Sequence, residues 1–111
     1  MTKRSSPTVL PEAPVKLIAL AVGGCEVLLA WTECQDGGLG FRVERAYGIG
    51  SADRFSVIGE VGPHVAAFCD RSVKPRKIYS YRVHAWNASG NSLPSNVTAV
   101  AVLLETELPA D

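Results

Sequence analysis

His64, His84, Cys25, Cys34 and Cys69 are the residues of this chain best suited by type to nucleophilic, acid-base or metal chemistry, and their spacing argues against all three. A Ser or Cys nucleophile needs a base within hydrogen-bond reach, and the Gly-x-Ser-x-Gly elbow that would present one does not occur. His64 follows Pro63 in a turn-forming stretch. His84 lies beside Arg82 in an alternating run whose even positions point outward, where a solvated imidazole is expected. Neither histidine has a partner at metal-ligand spacing, and no two cysteines form the close pair of a zinc or redox site. Gly37-Gly38-x-Gly40 and Gly48-x-Gly50 lack the strand-to-helix context and the lysine of phosphate loops, so they read as turns. Glu105 and Glu107 fall in a tail that cannot hold two carboxylates at the fixed separation glycosidic cleavage requires. These residues predict no catalytic centre, no metal and no cofactor.

The scaffold that would position any site is one small domain. A chain of 111 residues buries roughly 60–70% of its unfolded surface, enough for an independent core. Eleven Lys and Arg balance eleven Asp and Glu, so no long-range field attracts nucleic acid or anionic lipid. Hydrophobic residues make up 47%, yet no run approaches the roughly 20 apolar residues that membrane insertion requires. The opening Met1-Thr2-Lys3-Arg4-Ser5-Ser6-Pro7 is basic but is not followed by an apolar segment of signal-peptide length, which leaves an intracellular protein or a piece of a longer polypeptide, and the polar, Pro-bearing lead favours the piece. Three cysteines cannot all pair within one chain. A disulfide between two of them stays open, while parity, with Cys25 on the face of Val27 and Cys69 opposite to Phe68, favours small free thiols.

Residues 1–13 hold Pro7, Pro11, Ser5 and Ser6 and read as a linker or flexible lead. Strands are expected over residues 15–22, 25–32, 41–45, 55–61, 65–69, 79–87 and 96–104, separated by Gly-, Asp- and Pro-bearing turns. Val27, Leu29 and Trp31 share one face of the second, and Tyr79, Tyr81, Val83 and Ala85 share one face of the sixth, leaving Ser80, Arg82 and His84 on the other. Pro14, Lys16 and Pro94 suit the protection of edge strands. Seven short strands without a helical period predict an all-β, antiparallel sandwich or barrel, followed by a flexible tail over residues 105–111.

The densest motif is Val73-x-Pro75-x-Lys77-x-Tyr79-x-Tyr81-Arg82-Val83-x-Ala85-x-Asn87, followed by Gly90-x-Ser92-x-x-Ser95. With Pro14 ahead of the first strand, Trp31 ending the second and Phe41-x-Val43 in the third, it resembles the fibronectin type III family over most of the chain. Phe55-x-x-Ile58-Gly59-x-Val61 and Phe68-x-Asp70 are similar to the accessory modules of bacterial secreted enzymes and surface proteins. The resemblance implies a seven-stranded immunoglobulin-like sandwich over residues 14–104, with Trp31, Tyr79, Tyr81 and Val83 in its core. It also implies a tyrosine corner in which the Tyr79 hydroxyl bonds backbone near Val73 or Lys74. The chain departs from two well-known binding patterns, having neither Arg-Gly-Asp nor Trp-Ser-x-Trp-Ser. What the resemblance implies is a non-catalytic, monomeric module that spaces or docks neighbouring domains, or another protein, in a larger extracellular or cell-surface protein.

A second function class rests on surface chemistry. Trp86 alternates outward with Ile78, Ser80, Arg82 and His84, and an exposed indole beside a guanidinium makes Trp86, Arg82 and His84 the candidate contact patch for a protein or glycan partner. The competing expectation is that Trp86 is covered by the neighbouring loop or by Arg45, or packs on an adjoining module. Leu28, Ala30 and Cys69 form a second outward set on the other sheet. Asn87-Ala88-Ser89 and Asn96-Val97-Thr98 match glycan acceptors.

Overall fold

The computed structural model describes residues 9–34, 38–49 and 54–104. The start of the expected lead and the expected tail lie outside the described residues. Strands β1 (Val15–Val22), β2 (Glu26–Thr32) and β5 (Ala67–Asp70) form one antiparallel sheet in the order β1-β2-β5. Strands β3 (Gly40–Tyr47), β4 (Ser56–Val61), β6 (Lys77–Asn87), β7 (Gly90–Asn91) and β8 (Thr98–Val102) form the other, in which β6 lies between β3 on one side and β7 and β8 on the other. The described residues contain no α-helix.

Among the described residues there are eight strands where seven are expected, because Gly90–Asn91, expected within a polar loop, pairs with the end of β6 before the chain breaks off at Pro94 and pairs again as β8. Pro94 cannot donate to a ladder, and across the break two serine side chains take over from the backbone. Ser92 N donates to the Ala85 carbonyl (2.7 Å) while its Oγ accepts from Ala85 N (2.9 Å). Ser95 repeats the arrangement on Val83, with Val83 N donating to its Oγ (3.0 Å). The buried central strand therefore keeps its hydrogen bonds without a continuous partner, as buried backbone groups require.

The expected first strand matches β1, and the boundary differences elsewhere have local causes. β5 starts at Ala67 because Val65 N donates to the Gly62 carbonyl, closing a turn in which His64 has φ 67°. β8 is shorter than residues 96–104 because the Asn96 side chain reaches back to β1, donating to the Leu17 carbonyl (3.0 Å) and accepting from Leu17 N (2.9 Å). β1 is an edge strand whose register shifts between Val15 and Ile18, where Lys16 has φ 59°. Such a bulge spoils the edge as a template for pairing.

The two inner faces close over Leu17, Val27, Leu29, Trp31, Phe41, Val43, Tyr79, Tyr81, Val83 and Val102. Trp31 meets Phe41 edge to face at 5.5 Å, a preferred aromatic geometry. Lys74 N donates to the Tyr79 hydroxyl at 2.8 Å, which forms the tyrosine corner. Within the five-residue span between them the chain turns into β6 with the phenol buried beneath it.

Candidate functional site

The outer face of the five-stranded sheet carries the predicted contact residues, and it is closed rather than open. Register places Arg42 opposite His84 and Glu44 opposite Arg82 on neighbouring strands. Arg82 Nε bonds Glu44 Oε1 at 2.5 Å, and the guanidinium stacks on Phe55 at 4.3 Å. Arg42 lies over the Trp86 ring at 4.3 Å, with Nε on Glu60 Oε2 (3.0 Å) and Nη1 on Asn91 Oδ1 (2.6 Å).

Three expectations are corrected here. His84 is not a solvated imidazole but is 8% exposed, its ring between the Ser92 carbonyl and Glu44. Ser80 is buried too, donating to the Gly48 carbonyl at 2.6 Å. Trp86 is half-buried and is covered by Arg42, not by Arg45. Parity assigned these side chains to the correct face, but β6 has neighbours on both sides, and their long side chains fold over it. One face of the Trp86 indole, the surface a sugar ring would stack on, is already taken by a guanidinium.

Arg45 instead lies on the inner-face parity of β3, opposite Tyr81, and builds a polar bridge between the two sheets. Its Nη1 bonds Asp70 Oδ2 (2.9 Å) and Ser72 Oγ (2.7 Å). Tyr81 donates to the same Asp70 oxygen (2.7 Å), and Ser72 gives both its hydroxyl (2.7 Å) and its amide (3.0 Å) to Asp70 Oδ1. Burial alone would raise the Asp70 carboxyl. The Ser72, Tyr81 and Arg45 hydrogen bonds outweigh it and hold the group below its ordinary value. Tyr81 is pushed well above the ordinary phenol range by burial and by that carboxylate. The bridge is structural, since both Asp70 oxygens are taken up by donors from within the fold.

The remaining face is the outer side of the three-stranded sheet. Ile18 pairs with Ala30 and Ala30 with Ala67, and in the next row Leu20 pairs with Leu28 and Leu28 with Cys69. Ile18, Leu20 and Leu28 are 64%, 61% and 43% exposed. The outward set expected from Leu28, Ala30 and Cys69 is therefore two residues of β1 wider. No charged side chain interrupts these two rows. Glu26, which pairs with Val22 at the end of the face, is held by Arg71 at 3.0 Å.

Other sequence features have internal uses. Asn87, the first glycan-acceptor match, donates to the Val9 carbonyl (2.9 Å) and accepts from Ser89 N (2.8 Å), tying down the end of the expected lead. Asn96, the second, is bound to Leu17. Cys25, Cys34 and Cys69 are free thiols. A recess lined by Glu33, Cys34, Phe41, Pro63 and His64 has room for about one water molecule.

The searches of family models and of curated proteins return no match. Solved structures do match. The solution structure of the fibronectin type III domain of human fibronectin type III domain containing protein 3 has a TM-score of 0.72 and 20% identity, covering 94% of this chain and 96% of that one. The chicken CNTN1 FN1–FN3 domains give 0.74 and 16%, covering 90% and 33%. A crystal structure of titin domains gives 0.72 and 22%, covering 85% and 32%. The chain thus spans about a third of each of these longer pieces. At such identities the likeness shows the fold, and that fold is the fibronectin type III sandwich.

Proposed function

On a fibronectin type III fold, we propose that the chain is a non-catalytic spacer and docking module, whose outward apolar face on β1, β2 and β5 packs against a neighbouring domain of the same polypeptide. The observation that carries this reading is the uninterrupted apolar pair of rows from Ile18 and Leu20 to Ala67 and Cys69, beside a five-stranded sheet whose outer-face charges Arg42, Glu44, Glu60 and Arg82 are paired with one another. Strand spacing of about 4.8 Å and a two-residue repeat of about 6.8 Å give the three-strand, two-row face an area of roughly 200 Å². That falls short of the roughly 800 Å² per partner of a free-standing complex. It is also below the roughly 600 Å² at the small end of contacts between domains of one chain, so docking through it relies on the high effective concentration that a covalent link supplies. The resemblance to modules of secreted enzymes and surface proteins supports an extracellular or cell-surface setting.

Leu20→Lys combined with Leu28→Lys tests the proposal. The isolated module should keep its stability to within about 0.5 kcal/mol, since both side chains are at the surface. In the natural polypeptide with its flanking domains, small-angle scattering should show a larger radius of gyration as the module comes loose. An unchanged radius would refute docking through this face.

A further inference from the structure

The balance of eleven basic and eleven acidic residues conceals a separation of charge along the chain. Arg71, Lys74, Arg76 and Lys77 fall within seven residues that hold no acid, whereas residues 105–111 hold Glu105, Glu107 and Asp111 with no base. The four basic residues are exposed where the chain runs from the end of β5 into β6. The described carboxylates do not neutralise Lys74 or Lys77. Glu26 holds Arg71, and Asp70 holds Arg45. Glu44 and Glu60 are paired on the outer face of the five-stranded sheet, and Glu12 and Glu33 line the recess at the other end of the sandwich.

The backbone that carries this basic cluster is held stiffly. Val73 is buried, Lys74 N donates to the Tyr79 hydroxyl at 2.8 Å, and Arg76 N donates to the Val102 carbonyl at 2.6 Å. Between them Pro75 fixes its own φ. Arg76 has φ 65°, a left-handed conformation that glycine adopts without strain and arginine does not. The position thus keeps a guanidinium where the backbone alone would favour glycine. Little backbone is left to order when an anion binds, which lowers the entropic cost of holding one.

Strand β8 delivers the acidic stretch to this place. It runs antiparallel to β6, and their ladder ends at the Lys77–Val102 pair. Carried on for three residues, the same register sets Glu105 opposite Lys74. Pro75 has no amide with which to extend the ladder, so the contact falls to side chains. In an extended stretch Glu105 and Glu107 share one side, about 6.8 Å apart. We propose that the basic end of the module is a docking surface for an acidic stretch of polypeptide, and that residues 105–111 of the chain itself occupy it, Glu105 on Lys74 with Glu107 in the same cluster. The chain then leaves along the end of the module instead of straight away from it, which gives the spacer a set exit. This surface is separate from the apolar face of β1, β2 and β5, and neither depends on the other.

The test is amide nitrogen relaxation of the full chain by NMR, which reports order on the fast timescale of chain motion. The Glu105 and Glu107 amides should be more ordered at about 20 mM salt than at about 500 mM, where the Debye length shrinks to about 4 Å. The ratio of docked to free segment should fall roughly fivefold between the two, the scale of two exposed ion pairs. Lys74→Glu combined with Lys77→Glu should free the segment at both salt concentrations and leave the sandwich folded, since both side chains are exposed. Adding Glu105→Lys and Glu107→Lys to that variant should bring the order back. Equal mobility of residues 105 and 107 at low and high salt would overturn the proposal and leave the basic end to an acidic partner from outside. Order that survives both salt and lysine reversal would overturn it too, since charge would then not be what holds the segment.

Discussion

Asp70→Asn is expected to destabilise the fold by about 3–5 kcal/mol, the usual consequence of leaving one partner of a buried ion pair uncompensated. Asp70 is 3% exposed and Arg45 reaches it from the opposite sheet. An amide has one acceptor oxygen for the four donors that now converge on two, and its own NH₂ group would face donors. Chemical denaturation should show a lower midpoint with an unchanged slope. The pH dependence has a fixed sign. The folded carboxyl is depressed below its ordinary 3.8, so the stability it confers is fully present above the unfolded value and is lost as pH falls through the folded one. The Asn variant should lose that part of the acid limb and leave neutral-pH stability flat. A loss below about 1 kcal/mol, the scale of an exposed pair, would mean that the bridge is solvated.

Gly40→Ala is the second large effect, expected at about 3 kcal/mol from overpacking. A Cβ there would lie 2.3 Å from the Val61 carbonyl oxygen and 3.1 Å from Trp86 Nε1. The first obstacle is backbone of the paired strand β4, so relief requires β3 and β4 to part where Phe41 opposes Val61. The Trp86 indole must shift with them, and the Arg42 stack upon it loosens. Gly62 provides the control, since nothing lies within 4 Å of its added Cβ. Its alanine variant should unfold like the wild type. Equal stability of the two variants, read by denaturation, would show that β4 yields freely at that edge.

Much of the sandwich was legible because its signals are local. Alternation in β2 and β6 put Trp31, Tyr79, Tyr81 and Val83 on inward faces, and the motif resemblance anticipated the phenol bonded to backbone at Lys74. Exposure was not legible, because it depends on what lies beside a strand. Ser80 and His84 point outward as parity requires, yet a central position in the sheet buries them. The inter-sheet bridge was missed although its signal was present. Arg45 has the same parity as Phe41 and Val43, and Asp70 the same parity as Phe68, so two opposite charges were headed into one core. Reading residues 41–45 as a simple apolar and charged alternation hid the fact that Arg45 breaks it. The outward apolar face was half legible. Leu28, Ala30 and Cys69 follow from parity, but their continuity with Ile18 and Leu20 is a matter of register between β1 and β2.

Cys69 sits on that face and reports directly on whether it is covered. With Cys25 and Cys34 replaced by Ser, the rate at which a maleimide labels Cys69 can be compared between the isolated module and the natural polypeptide with its flanking domains. Docking through β1, β2 and β5 predicts at least tenfold slower labelling in the polypeptide, or about 1.4 kcal/mol of protection. Equal rates would mean the face stands open in its natural setting, and the docking role would have to be abandoned.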